Sequence, residues 1–179
     1  MDGLTYTAFS NNRRIASGDI VKLLTDLKPW VDEHPGDLLF IFDNETGKAF
    51  DFDFRGDLKY VIERVVGTQR SGPGRPKMGV VSREVSLLPR HWDWLEQRPN
   101  GASATLRRLV DEARKQSGSE DARTRTVRVM TALAGDLAGY EEASRALYRG
   151  DRVAFEKHIH EWPSSVYEYV LEMAEPALL

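Results

Sequence analysis

Leu38-Leu39-Phe40-Ile41-Phe42 is the stretch on which the fold turns. It is a strongly apolar strand set between a stop signal, His34-Pro35-Gly36, and a turn, Asp43-Asn44-Glu45-Thr46-Gly47. Beyond the turn, Phe50, Phe52 and Phe54 alternate with Asp51 and Asp53. That is the period of a half-buried strand, with the phenylalanines expected toward the core and the aspartates toward water.

Upstream, Thr5-Tyr6-Thr7-Ala8-Phe9 and Arg14-Ile15-Ala16 read as two strands joined through Asn11-Asn12, a pair that tolerates left-handed backbone. Asp19 is placed to cap a helix over roughly residues 20–33, whose stripe is Ile20, Leu23, Leu24 and Leu27. Pro29 is expected to shorten or kink it. Downstream, a helix over about residues 57–67 places Leu58, Val61, Ile62 and Val65 on one stripe. The first third therefore reads as a four-stranded, mostly antiparallel sheet with helices on one face.

The last third reads as helical. Met130, Leu133, Leu137, Tyr140 and Leu147 form one long amphipathic stripe, with Gly135 and Gly139 suited to close helix packing. Asp151 begins another helix with Phe155, Ile159 and Trp162 inward, and Pro163 ends it. Ser165 with Glu168 has the spacing of a capping box for a final helix. The whole is an α+β chain: an α+β domain over 1–69, a linker or basic arm over 70–79, a strand-helix-helix unit over 80–115 and a C-terminal helical bundle over 125–179.

Composition narrows the function. The 179 residues hold no cysteine, which excludes disulfides, cysteine nucleophiles and thiolate metal sites. No basic-then-apolar leader and no run of membrane-helix length is present, so the expected compartment is the cytoplasm. The net charge of -3 hides an asymmetry: residues 1–69 carry -4, residues 70–115 carry +5 and residues 116–179 carry -4. A basic block between acidic flanks attracts polyanions, or else pairs with its own flanks.

That block contains Gly74-Arg75-Pro76-Lys77, then Val80-Val81-Ser82-Arg83-Glu84-Val85-Ser86-Leu87-Leu88, then two helical patterns. In a strand over 80–88, Val85 and Leu87 share one face and Ser82, Glu84 and Ser86 the other. Pro89 suits the first turn of a helix that carries Trp92 and Leu95, and Pro99-Asn100-Gly101 breaks it. Ser103 is placed to cap the next helix, with Leu106, Leu109, Val110 and Ala113 as its stripe and Arg107 and Arg108 flanking. One lone strand and two helices make a poor core alone, so the strand is expected to pair with a second copy, giving a homodimer through Val80 to Leu88.

This order resembles the ribbon-helix-helix DNA-binding family over roughly residues 80–115. The resemblance implies a two-chain ribbon in the major groove, with groove-reading positions at Ser82, Glu84 and Ser86. It also implies phosphate binding by backbone N–H groups from Ser103 onward. The chain departs from the family in offering two serines and an acid on the ribbon face; a register shift of one would turn Arg83 to the groove. Gly74-Arg75-Pro76-Lys77 is similar to the core of an AT-hook, whose arginine lies in the narrow minor groove. On the stretch from Gly74-Arg75-Pro76-Lys77 through Leu88-Pro89-Arg90-His91-Trp92-Asp93-Trp94-Leu95, the whole chain also resembles an uncharacterised bacterial family, classed as a domain of unknown function, a likeness that implies no activity.

Enzyme signatures are few. His158 and His160, two apart on a helix, point in different directions and make a poor metal pair. The acids Asp43, Glu45, Asp51 and Asp53 read as solvent-facing strand and turn residues. None of the common nucleophile, zinc, phosphate or dinucleotide motifs occurs. No catalytic residue, metal or cofactor is expected. The expected function is a DNA-associated dimeric regulator, with Arg75, Lys77, Ser82, Arg83, Glu84, Ser86, Arg90, Ser103, Arg107 and Arg108 as contacts. The alternatives are a protein-interaction module without DNA binding and, behind it, an enzyme of unknown class.

Overall fold

A computed structural model describes residues 4–67, 83–116 and 118–179. The chain divides into two compact units, residues 1–70 with 119–179, and residues 71–118. The first and last thirds, expected as separate domains, therefore belong to one unit with a shared core. The reason lies in the alternation of the strands.

The larger unit begins with β1 (Tyr6–Ser10) and β2 (Arg13–Gly18). Asn11 and Asn12 have φ of 47° and 60°, so the two-residue turn joins Ser10 to Arg13 with the twist a hairpin needs. Helix α1 (Ile20–Glu33) follows, its N-terminus closed by Asp19, whose carboxylate accepts from the Val21 and Lys22 amides. Pro29 does not shorten it. Proline removes one donor, but Pro29 and Thr25 both lie on the exposed side, where water can hydrate the Thr25 carbonyl left without a partner.

Strands β3 (Leu39–Asp43) and β4 (Ala49–Phe50) complete a fully antiparallel sheet in the order β2-β1-β3-β4. Strand β4 is shorter than the Phe50-Phe52-Phe54 alternation suggests. Only Phe50 lies in it, 40% exposed, while Phe52 and Phe54 pack partly buried against the small cluster around α1. Arg55 and Arg64 hold the backbone there: Arg64 donates to the Asp53 and Arg55 carbonyls at 3.0 and 2.8 Å, which diverts the chain from the ladder. Helix α2 (Leu58–Val66) then packs on α1.

Neighbouring residues of one strand point to opposite faces. Ala8 and Ile41 meet Leu23 and Leu27 of α1 on one face, as expected of helices in the first third. Phe9 and Phe42 point the other way, into a core supplied by C-terminal helices. These are α5 (Gly118–Ala134), α6 (Tyr140–Arg149), α7 (Arg152–Ile159) and α8 (Ser164–Ala174). Met130, Leu147, Phe155, Ile159 and Val170 are fully buried there. Each such side chain contributes about 1.5–3 kcal/mol through removal from water.

Three local expectations change in this region. The Met130-to-Leu147 stripe belongs to two helices, since α5 ends at Ala134 and Gly139, at φ 83°, stands before α6. A Cβ on Gly139 would lie 2.5 Å from the His158 carbonyl, so close packing does explain that glycine. The polar stretch from Gln116 to Arg125 is no separator, because α5 runs through it from Gly118, with Glu120 and Asp121 at its positive end. The Ser165–Glu168 capping box does not form: α8 starts at Ser164 with Pro163 before it and no side-chain cap. The Asp151 cap does form, accepting from the Ala154 amide at 3.0 Å.

In the smaller unit, α3 (Pro89–Glu96) and α4 (Gly101–Gln116) form a helical hairpin. Asn100 and Gly101, at φ 84° and 74°, make the reversal. The expected strand is not formed over its described part: residues 83–88 carry neither helix nor strand and pair with no strand among the described residues. A β-ladder needs a partner backbone, and the four-stranded sheet does not include this segment. Among the described residues, no helix is long and apolar enough to cross a membrane.

Candidate functional site

Arg75, Lys77 and Ser82, with the Gly74–Lys77 motif, lie outside the described residues. The other candidates belong to the smaller unit. Arg83, Glu84 and Ser86 are exposed on the segment leading into α3. Because that segment is not a strand, the alternation meant to align Glu84 and Ser86 is not imposed on it. Val85 is 57% exposed, whereas Leu87 is half-buried.

Arg90 is exposed in the first turn of α3, which Pro89 opens and the Leu88 carbonyl anchors by accepting from the His91 amide at 2.8 Å. Ser103 is not the cap of α4. The helix starts two residues earlier, at Gly101, because Asn100 and Gly101 complete the reversal sooner than a serine cap requires. Ser103 instead sits in the first turn, where backbone N–H groups lack helical acceptors. Arg107 lies one turn further along the same face. Arg108 donates to Glu112 at 2.7 Å, and Arg98 lies over the Trp94 ring at 4.0 Å.

Charge within this unit is unevenly placed. Residues 83–113 hold five basic and five acidic side chains, so the excess of the central block lies in 70–82 and at Arg114 and Lys115. Residues 70–82 hold three cations and no acid. Among the described residues, Arg83, Arg90 and Arg107 are exposed and make no ion pair.

In the larger unit, Asp43 and Asp53 hold local backbone and side-chain structure. Asp43 is buried and accepts from the Glu45 and Thr46 amides at 2.7 and 3.0 Å, shaping the turn before β4. Asp53 accepts from Arg55 at 2.8 Å and from Arg64 at 2.6 Å. Hydrogen bonds from Arg55 hold its carboxyl well below the usual carboxylate range. Among the described residues, no group of three or more histidines and carboxylates is arranged to hold a metal ion.

Sequence reasoning missed one polar cluster. The Tyr169 hydroxyl of α8 donates to Asn44 Oδ1 at 2.8 Å, Thr7 Oγ1 donates to the same oxygen at 2.9 Å, and Asn44 Nδ2 donates to Thr5 at 3.0 Å. The Arg14 guanidinium sits over the Tyr169 ring at 5.3 Å. Burial pushes the Tyr169 phenol above its ordinary value. With Phe9 and Phe42 against its ring, the cluster fastens the last helix to the sheet. Residues 125 apart in sequence leave no local pattern to find it by.

No curated protein and no solved structure matches the chain. Residues 5–174 match the family described as an uncharacterized protein conserved in bacteria (DUF2239), which spans both units. The chain belongs to that bacterial family.

Proposed function

We propose that this protein is a DNA-associated dimer with a regulatory role, whose central block, residues 70–115, makes the contact. The observation that carries the reading is the net positive charge of residues 70–115, set between two acidic flanks. Three cations without an acid precede the helical hairpin, and Arg83, Arg90 and Arg107 add exposed guanidinium groups without partners among the described residues. Such a field draws a polyanion and releases its counterions. Arg75 and Lys77, bracketing Pro76, suit an extended arm along a minor groove. Ser82, Glu84 and Ser86 are assigned to base edges, and the N-terminal turn of α4 at Ser103, with Arg107 and Arg108, to phosphates. Pairing of Val80 to Leu88 between two chains is the proposed source of the ribbon.

Titrating the full-length protein into duplex DNA at low and moderate salt tests this. Affinity should fall steeply as salt rises, with a slope set by the phosphates engaged. Changing Arg75 and Lys77 together to Ala should flatten that slope by roughly 2 units on the logarithmic scale. No binding at low salt, or a slope indifferent to the double change, refutes the reading.

A second reading is an interaction module that binds protein and not DNA. It is favoured by the apolar side chains that α3 and α4 leave exposed, Trp92, Trp94, Leu109 and Val110 among them.

A further inference from the structure

Between the edge strand β4 and helix α5 of the larger unit lies a hollow of about 520 Å³, within the size range of small-molecule sites. Its walls are mostly apolar. Phe42 of β3 faces Ala49 of β4 across the ladder, so both side chains share the face that turns to α5. Val127 and Ala132 supply the helix side. The hollow exists because Ala49 and Ala132 are small; a longer side chain at either position would fill it. Lys48 and Arg128, both exposed, complete the lining.

The polar groups select the occupant. The lining holds two cations and no carboxylate. Glu45 lies on the same turn but not in the lining, and Asp43 is buried with its Oδ1 taken by the Glu45 and Thr46 amides. Neither Lys48 nor Arg128 has an ion-pair partner among the described residues. Arg128 is nonetheless held in place, since its Nη1 donates to the Thr46 carbonyl at 2.8 Å. That bond leaves the Nε–Nη2 edge, whose two parallel N–H donors match the two oxygens of a carboxylate. Gly47 seats the turn against α5, because a Cβ there would lie 2.4 Å from the Arg125 carbonyl, and Lys48 follows it directly. The Thr131 hydroxyl is already engaged: it donates to the Val127 carbonyl at 2.8 Å and meets the Tyr140 hydroxyl at 2.7 Å. One anionic head beside Arg128 and Lys48 therefore satisfies the polar side chains, and the rest of a ligand meets hydrocarbon. A sugar or nucleotide would bury hydroxyls and ring nitrogens without partners on these walls.

We propose that the hollow between β4 and α5 binds a small organic carboxylate, its apolar body between Ala49 and Ala132 and its head on the Nε–Nη2 edge of Arg128, with Lys48 adding a second positive charge. The site belongs to the larger unit and does not depend on the DNA reading or on the dimer.

Calorimetric titration of the full-length protein, without DNA, with octanoate below its micellar concentration tests it. Octanoate should bind, and octanamide, which has the same chain without the charge, should bind roughly tenfold more weakly or worse. Arg128→Gln should weaken octanoate by a similar factor, and Lys48→Gln by less, because an exposed flexible ammonium holds a partner loosely. Ala49→Leu should abolish binding by filling the hollow. Ala132→Leu repeats that test from the opposite wall, and circular-dichroism melts show which variants keep the fold. Arg145→Gln, on the exposed side of α6, should bind as wild type does. Inorganic phosphate at equal concentration should not compete. Octanoate that fails to bind overturns the inference. So does binding unchanged by both leucine variants, which puts the ligand elsewhere, for instance in the apolar cleft between α3 and α4. Equal binding of octanamide, or displacement by phosphate, overturns it as well, since the site would then read either the chain alone or any anion.

Discussion

Replacing Tyr169 by phenylalanine should have opposite effects at neutral and at high pH. At neutral pH the change removes one buried hydrogen bond, from the phenol to Asn44 Oδ1 at 2.8 Å. Asn44 Oδ1 still accepts from Thr7, so no buried acceptor is orphaned. The cost is then that of a single neutral bond, about 1 kcal/mol. High pH reverses the balance. Burial raises the native phenol's pKa, while in the unfolded chain it ionises near its ordinary value of 10.0. A group whose native pKa is raised contributes stability that is complete below the unfolded pKa and is lost as pH climbs past it. Each pH unit in that window lowers wild-type stability by about 1.4 kcal/mol, and the phenylalanine variant has no phenolic proton to lose. By about pH 11 the wild type should have given up its advantage, so the two stabilities cross. Urea melts of both proteins followed by circular dichroism, at neutral pH and at about pH 11, measure this. If the two proteins lose stability in parallel between those conditions, the native phenol ionises freely and the cluster is not the buried fastener described.

Other outcomes follow from local geometry. Asn12, at φ 60°, should accept Gly with little change, whereas Asn12→Val should cost about 1–2 kcal/mol in thermal or urea unfolding. Gly47→Ala should destabilise by roughly 2 kcal/mol or more, since φ is 65° and a Cβ would stand 2.4 Å from the Arg125 carbonyl. Asp53→Asn should flatten stability on the acid side. A depressed native pKa gives stability that is present above the unfolded value and lost as pH falls through the native one, so wild type and variant should converge in strong acid.

The parts legible in the sequence are those decided within a few residues. Asn11-Asn12, Asp19 and Asp151 each fix a turn or a helix start by their own backbone preference or side-chain oxygen, and the structure places them so. The effect of Pro29 is not legible, because it depends on which side of α1 faces water. Ser103 and Ser165 mislead because a neighbouring Gly101 or Pro163 begins the helix first. The union of first and last thirds is hidden for a different reason. Phe9 and Phe42 look like strand residues facing any core, and only the chain's path brings Tyr169 and Met130 to them. At the candidate site, charge is readable from composition, but the strand at 80–88 is not secure. Its alternation of Val85 and Leu87 needs a partner strand to become a ladder, and no strand of this chain, among the described residues, supplies one.

Hydrogen exchange of the full-length protein with and without a short duplex DNA tests the central claim most directly. Slowed exchange should concentrate in peptides covering residues 70–108, around Arg75, Arg83, Arg90 and the first turns of α4, while the four-stranded sheet stays unchanged. Protection absent from that window, or confined to the sheet and the C-terminal helices, would contradict a DNA-contacting role for the central block.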